Sequence, residues 1–509
     1  PVAVAILAKA RLLQNLISNL SLGRMEMQCN GKTEQFFAPT LLTSKQLAQQ
    51  KPEGPKAREY IRFEAVDFNS KGLSKTVPGR HKHSKVFLFH GASALGSNQE
   101  VMVVPEEVMA AGCQNTELIP DWSTEQILPW ACRPEKNIQV KRVYCEQAKV
   151  SLPRTICRKL IENLKNEHGL EMFAGGELEF VLAKPGKDPK SWEPYFDGPE
   201  IFTTLQNSKA MDFCYELEDN MEQVGVDIRT MNAEYGAGQL ELTFTPKFGI
   251  EAADMTATFR TGTKEIAQQQ GLRATFMAKP FGVSGVGSGG HFNFSLWKRD
   301  GSTSSDGSNA ISEATCGFNA AFHDPQDQEG LSSVARSFLA GILAHAPAME
   351  AICSPTIPCY SRHGNWAPVI ANWGPEDRST CVRVKSSPAG APGECYMELR
   401  MPSASANPYL VMAAVIAAGQ DGLRRSLQLP PAKETQEDGA KLLPKSLPEA
   451  LAALEADEYM SSSLGEDFVR WYCATKRAEI TTIEEWLSKT EGTESDISSA
   501  WQKMYMEFI

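Results

Sequence analysis

The sequence predicts an α+β protein: a small sheet-rich domain, a larger domain in which strands alternate with helices, and a helical C-terminal third. Three observations carry this. Residues 58–150 hold short runs of period-two alternation broken by turn residues, the mark of half-buried strands. Residues from 151 onward interleave acidic strand-like runs with segments of helical spacing, such as 153–169 and 251–270. The last third is dominated by helical periodicity.

The elements follow in order. Residues 1–57 read as an N-terminal extension and linker; 1–24 contain Lys9, Arg11 and Arg24 but no acid, and Pro1 stands where an initiator Met is expected. A helical or artefactual extension is the preferred reading of 1–24, a mitochondrial-type presequence the other. YIRFEAVDFNSKG alternates and ends in an Asn-Ser-Lys-Gly turn, and LSKTVP is its partner strand. Further strands are expected at 85–90, 101–104, 116–119 and 138–146. Pro153 opens a helix closed by Gly169. Helices are expected at 207–224, 251–270, 329–352 and 407–426, the last with Pro408 in its first turn. GSTSSDGSN (301–309) reads as a flexible loop.

The 509 residues are 42% hydrophobic and carry a net charge of −11, which sets a nucleic-acid partner aside. No apolar run approaches a transmembrane span. The 12 cysteines are scattered without a CxxC, so reduced thiols in a cytoplasmic setting are expected.

The chemistry begins at Glu177-Leu178-Glu179. Residues i and i+2 of a strand share a face, so two carboxylates stand side by side in an apolar run. A cation would relieve their repulsion and desolvation. Glu234-Tyr-Gly-Ala-Gly-Gln-Leu-Glu241 is a second pair that a hairpin brings to one place, or else a solvated hairpin. GVSGVGSGGHFNFSLW is a Gly-rich loop entering a strand, with His291, Asn293 and Ser295 on one face. Arg362, Arg378, Arg383 and Arg400 form a basic set in an acidic chain, with Glu398 and Arg400 on one face. The alternative for each arginine is an ordinary surface ion pair. Carboxylates with one imidazole suit Mg²⁺ or Mn²⁺, and added arginines suit phosphoryl transfer.

GGELEFVL, GAGQLELTF, TFMAKPFG, GSGGHFNFSLW, RSTCVRV and MELRMPSASANPYLVMAAVIAAGQDG occur in one order. With them, residues 58–509 resemble the glutamine synthetase superfamily, class I type, with particular likeness to its lengsin-like members. The resemblance implies a β-grasp-like domain at 58–150 and a catalytic α/β domain at 151–509 built on a curved antiparallel sheet. It also implies a homo-oligomer, a dodecamer of two stacked hexameric rings with sites at subunit junctions. It implies two or more Mg²⁺ or Mn²⁺ per site, ATP as substrate, and partners of a glutamate-like acid and ammonia or an amine. Glu179, Glu234 and Glu241 match ligands of the metal near glutamate; Glu177, His291 and Glu398 match those of the metal near the ATP phosphates. Arg362, Arg378, Arg383 and Arg400 match arginines that hold glutamate and neutralise the transferred phosphate, Arg378 and Arg383 on the ATP side. Gly287 and Tyr195 match substrate-side positions, and Ser295 and Trp297 nucleotide-side positions.

The departures lie in the ammonium pocket. The family's Asp in F-D-G-S-S is His90 here, its second acid resembles Asn115, and the flap Glu before Ala-Pro is Trp366. Val286 replaces an Asn, and Asn293 the second His of H-x-H. The metal and phosphate chemistry is retained and the ammonium pocket is not. The expectation is an ATP-dependent ligase joining a γ-carboxylate to an organic amine, with Trp366 holding the alkylammonium and His90 acting as base. The alternative is a lengsin-like non-catalytic structural or chaperone-like oligomer.

Overall fold

The computed structural model describes residues 26–29, 32–35, 57–187, 191–300, 315–386 and 388–509. Two compact units divide at Ala57/Arg58. In the first, strand Glu26–Cys29 pairs antiparallel with Lys32–Gln35, so the expected linker contains a hairpin. The sequence between them, Asn30-Gly31, is the dipeptide that two-residue hairpins favour, a signal overlooked in a polar stretch. The reading of 1–24 and the 301–309 loop lie outside the described residues.

The second unit carries two sheets. The six-stranded sheet runs Gly72–Pro78, Arg58–Val66, Ile138–Gln147, Asn115–Pro120, Val86–Phe89, with Gln126–Ile127 added to the Ile138 strand. The Arg58 and Ile138 strands are parallel. The expected strand at 101–104 is absent: Met102 makes only an isolated bridge to Leu95. The alternation there was too short to hold a ladder.

The eleven-stranded sheet runs Ile228–Ala233, Gln239–Phe244, Glu171–Pro185, Gly290–Arg299, Tyr396–Leu399, Val382–Lys385, Trp373–Pro375, with short strands added at its margins. The fold is α+β with a curved, nearly barrel-like and largely antiparallel sheet. The central strand Glu171–Pro185 sets which side is chemical. Leu178, Phe180 and Leu182 are buried in a core with Phe213, Leu217, Leu240, Leu242 and Phe259. Alternation therefore turns Glu177 and Glu179 to the other face.

Helix Pro153–His168 ends at Gly169, whose φ of 66° suits glycine. The expected helix at 207–224 is two, Thr204–Ser208 and Met211–Glu222, because the Thr203 side chain caps an extra turn upstream. The long helix begins later than expected, at Ser333. Asp327 Oδ1 accepts the Glu329 and Leu331 amides, holding 327–331 in a turn, and Ser332 Oγ caps the helix at Ala335.

Helix Pro408–Arg425 is capped by Asn407, whose Oδ1 accepts the Tyr409 and Leu410 amides. The Asn407 amide also donates to the Asp67 carbonyl (2.9 Å), tying the six-stranded sheet to the helices. Thr475 and Glu479 of helix Glu466–Leu487 add bonds to Ala94 O and Ser97 N. Among the described residues no helix is long and apolar enough to cross a membrane.

His345 links three helical segments. Its Nδ1 lies 2.6 Å from Asp457 and its Nε2 3.0 Å from Asp421. Burial pulls its pKa down, but the two carboxylates raise it on balance. The folded value thus exceeds the unfolded one. The stabilisation is complete below the unfolded value of about 6.5 and is lost as pH rises through the folded value. His345→Gln is expected to lower stability by about 2 kcal/mol at pH 6 and by clearly less at pH 9, read from urea melts at both; equal losses would refute the charged state.

Candidate active site

The register of five strands builds the site. Glu177 lies across from His291, and Glu179 across from Glu241. Glu398 lies between Asn293 on one side and Arg383 on the other. His291 Nδ1 is 3.2 Å from Glu177 Oε1 and 3.3 Å from Glu398 Oε1. Glu177, His291 and Glu398 each offer one ligand atom, all within 4.8 Å of one another. Two carboxylates with an imidazole fit Mg²⁺ or Mn²⁺.

Glu179, Glu234 and Glu241 stand beside that group. Glu234 follows the Ile228–Ala233 strand and takes the Asn232 amide at 3.1 Å. Glu179 Oε2 accepts from Gly289 N at 2.9 Å. The electrostatics show acids short of counter-charge. Burial, then the neighbouring Glu179, lifts the Glu234 carboxyl to about 7. Burial and the charges of Glu177, Glu179 and Glu234 push Glu241 far up. Burial also opposes ionisation of Glu177, but His291 and Arg400 hold it ionised and well below the usual carboxylate range. A divalent cation fits this need.

The arginines divide. Arg383 Nη1 lies 3.1 Å from Glu398 Oε2, and Arg400 Nη1 bonds Glu398 Oε1. Arg362 is buried, with Nη1 unpartnered. Its stem fills the space a side chain at Gly287 would need, and its Nη2 lies 3.3 Å from where a Gly289 Cβ would stand. Only glycines let this guanidinium reach the acids. Arg378 stands apart from the other three. Asp377 Oδ1 accepts the Ser379 amide and hydroxyl, so 377–380 is a turn and the strand starts at Val382. Arg378 is exposed there and makes no ion pair among the described residues.

Ser295 and Trp297 continue the His291 face but bond each other at 2.8 Å and are buried. Tyr195 is half-buried and donates its amide to Leu182 O. His90 packs against Trp471, ring centroids 6.0 Å apart, and donates its amide to Gln114 O. None of the six ligand-type residues is among those partners. Trp366 is 81% exposed and has φ 63°, so its ring does not pack on its own loop. A non-glycine residue held in the left-handed region is strained, and Gly364 N→Ala367 O and Asn365 N→Arg362 O bonds impose it.

Two residues escaped the sequence reading. Buried Gln239 donates from Nε2 to Glu179 Oε2 (2.5 Å) and Gly287 O (3.1 Å), joining an acid to the Gly-rich loop. It lies two before Glu241, on the same strand face, which was the available signal. Glu350 is fully buried and bonds His363 Nε2 at 3.0 Å, anchoring the segment between Arg362 and Trp366. A lone acid in the apolar run AGILAHAPAMEAIC pointed to it.

Comparison with known proteins places this geometry. The profile of the family "Glutamine synthetase, catalytic domain" matches residues 151–494. The chain belongs to the glutamine synthetase family. It is 33% identical over 404 residues to the glutamine synthetase of Methanocaldococcus jannaschii, covering 74% of this chain and 83% of that one. It is 27% identical over 480 residues to human lengsin, covering 90% and 87%. A solved glutamine synthase homologue superposes with a TM-score of 0.71 at 24% identity, covering 89% of this chain and all of that one, and so shares the fold. GmaS in complex with ADP gives 0.69 at 25% identity, covering 86% and 97%. As a member of the glutamine synthetase family this chain is a ligase-type enzyme, and that family uses ATP and divalent metals.

Mn²⁺ is expected to raise Tm, and more at pH 8 than at pH 6, because Glu234 and Glu241 must shed protons to ligate. Calorimetric melts with Mn²⁺ or EDTA check this; an upshift larger at pH 6 would overturn the ligand set.

Proposed function

We propose that this chain is an ATP-dependent carboxylate–amine ligase that phosphorylates the γ-carboxylate of glutamate or a similar acid and passes the acyl group to an organic amine. The observation that carries it is Trp366, exposed and strained on the loop that follows Arg362. An alkylammonium meets an aromatic face there by cation–π attraction, where the family's flap acid would meet ammonium.

The division of labour follows from the residues. Glu177, His291 and Glu398 would hold one divalent ion, and Glu179, Glu234 and Glu241 another. Such ions, when bound, neutralise phosphate charge and orient ATP. Arg362 and Arg400 hold the acid substrate, with Gly287 and Tyr195 at its side. Arg383 and Arg378 face the phosphates, Arg378 free to swing inward from its turn. Ser295 and Trp297 line the nucleotide side. The ligase then needs a base for the amine, and His90 is that base, lent by a neighbouring copy in a homo-oligomer of two stacked hexameric rings. A β-grasp-like domain at 58–150 and a catalytic domain at 151–509 complete this reading. The cysteines from Cys113 to Cys473 are free, which supports a reducing compartment.

The second reading is a non-catalytic, lengsin-like structural oligomer, favoured by likeness to lengsin over 90% of the chain. Phosphate release with Mg²⁺, ATP and glutamate across ammonium and a panel of amines separates the two. Amine-dependent release is expected, with Glu177→Ala abolishing it. Silence across the panel, with no nucleotide bound, would select the structural oligomer. Trp366→Ala is expected to raise KM for the amine about tenfold while KM for ATP holds. An unchanged amine KM would remove Trp366 from the amine site.

A further inference from the structure

Gln239 touches both halves of the site. It opens strand Gln239–Phe244, two positions before Glu241 and on the same face. Its main-chain carbonyl accepts the Glu234 amide at 2.9 Å, and its own amide donates to Gly236 O at 3.1 Å. The backbone alone therefore closes the turn that carries Glu234, and the side chain is left for other partners.

The side-chain amide is buried, and its neighbours dictate which way it points. Gly236 N donates to Oε1 at 2.8 Å. Nε2 faces Glu179 Oε2 at 2.5 Å, Gly287 O at 3.1 Å and Ser288 Oγ at 3.3 Å. The reversed amide would set its oxygen against a carboxylate and a carbonyl, and its NH₂ against the Gly236 N–H.

Glu179 is left with one oxygen to offer. Its Oε2 accepts both Gln239 Nε2 and, at 2.9 Å, Gly289 N. Oε1 accepts no hydrogen bond among the described residues. It lies 3.3 Å from the position a Gly289 Cβ would take, and His291 Nε2 (3.2 Å) and Arg362 Nη2 (3.3 Å) converge on the same position. Two N–H donors on Oε2 fix the carboxylate's rotation and present Oε1 as a single ligand atom. The other end of the link is the loop before His291. Gly287 gives its carbonyl to Gln239, while the Arg362 stem fills the space beside its Cα. One amide thus joins a ligand-type acid to the loop on which Arg362 rests.

We propose that Gln239 is a positioning residue that locks Glu179 to the 287–288 loop, so that filling of the Glu179, Glu234 and Glu241 set by a divalent ion and binding of the acid substrate strengthen each other. The substrate half rests on the ligase reading above. With Oε1 committed to an ion, the carboxylate is held still, its amide partner holds Gly287 and Ser288, and the loop meets the acid already ordered. Linkage makes the reverse effect equal in size.

The test is calorimetric titration of the full chain with MnCl₂, in saturating sodium glutamate and in matched sodium chloride, with the heat of Mn²⁺ entering each buffer subtracted. Wild type, Gln239→Met and Gly236→Ala are compared. Methionine keeps the length of the side chain and has no N–H to give. Gly236→Ala keeps every hydrogen-bonding group but sets a methyl 2.5 Å from Gln239 Oε1, which pushes the amide off its partners. It carries the test alone if Gln239→Met does not fold. Glutamate is expected to tighten Mn²⁺ binding several-fold in wild type. Both variants are expected to bind Mn²⁺ about tenfold more weakly and to lose most of the glutamate effect. Variants that match wild type in affinity and coupling, a wild type whose Mn²⁺ affinity ignores glutamate, or a Gln239→Met that melts lower yet keeps the full coupling would overturn the role. Coupling lost in the variants, together with silence of wild type across the amine panel, would sink the ligase reading and leave the role of Gln239 standing.

Discussion

Repulsion among the carboxylates on the open face of the central strand is the constraint around which this molecule is arranged. Glu177 and Glu179 cannot turn inward, because Leu178 and Phe180 fill the core behind them. The flanking strands bring Glu241 and His291 against them rather than away. Acids gathered in this way hold a proton unless positive charge arrives. Every other part of the site answers that need: a histidine between two carboxylates, two arginines on Glu398, and a third passed over glycines. Removing one acid leaves its cations unpaired, so the cluster stands or falls as a unit.

The same constraint bears on the proposed function: a ligase that does without an ammonium pocket would still need this cluster of acids. Buried like charges are a standing load on stability. Their retention makes sense where a cation and a polyphosphate use them. The loop beyond Arg362 is anchored by the Glu350–His363 pair. That anchor holds a short loop with an aromatic at its tip, while Arg362, its neighbour in sequence, stays aimed at the acids.

Local order along the chain matched the folded result where one physical signal dominated. The Glu171–Pro185 strand, the 228–244 hairpin and the capped helices at 153 and 408 each combine periodicity with a turn or cap. Failures came where a side chain outvoted periodicity. Asp377 holds a turn that leaves Arg378 exposed, short of the strand that begins at Val382. Asp327 delayed a helix, and Thr203 started another early. A short alternation at 101–104 had too few partners to become a strand.

The sequence by itself determined that acids alternate with apolar residues on strands, that glycines precede His291, and that an aromatic follows Arg362 four positions on. Those are properties of spacing and residue type, and they suffice for the family. Tertiary structure decided what spacing cannot carry. It set Glu177 against His291 and Glu398, residues more than a hundred positions apart. It left Trp366 in solvent rather than packed. It also brought Lys264 and Arg260 to one ring, that of Phe276. Strand register and helix packing fix such contacts, and both depend on which distant surfaces bury each other.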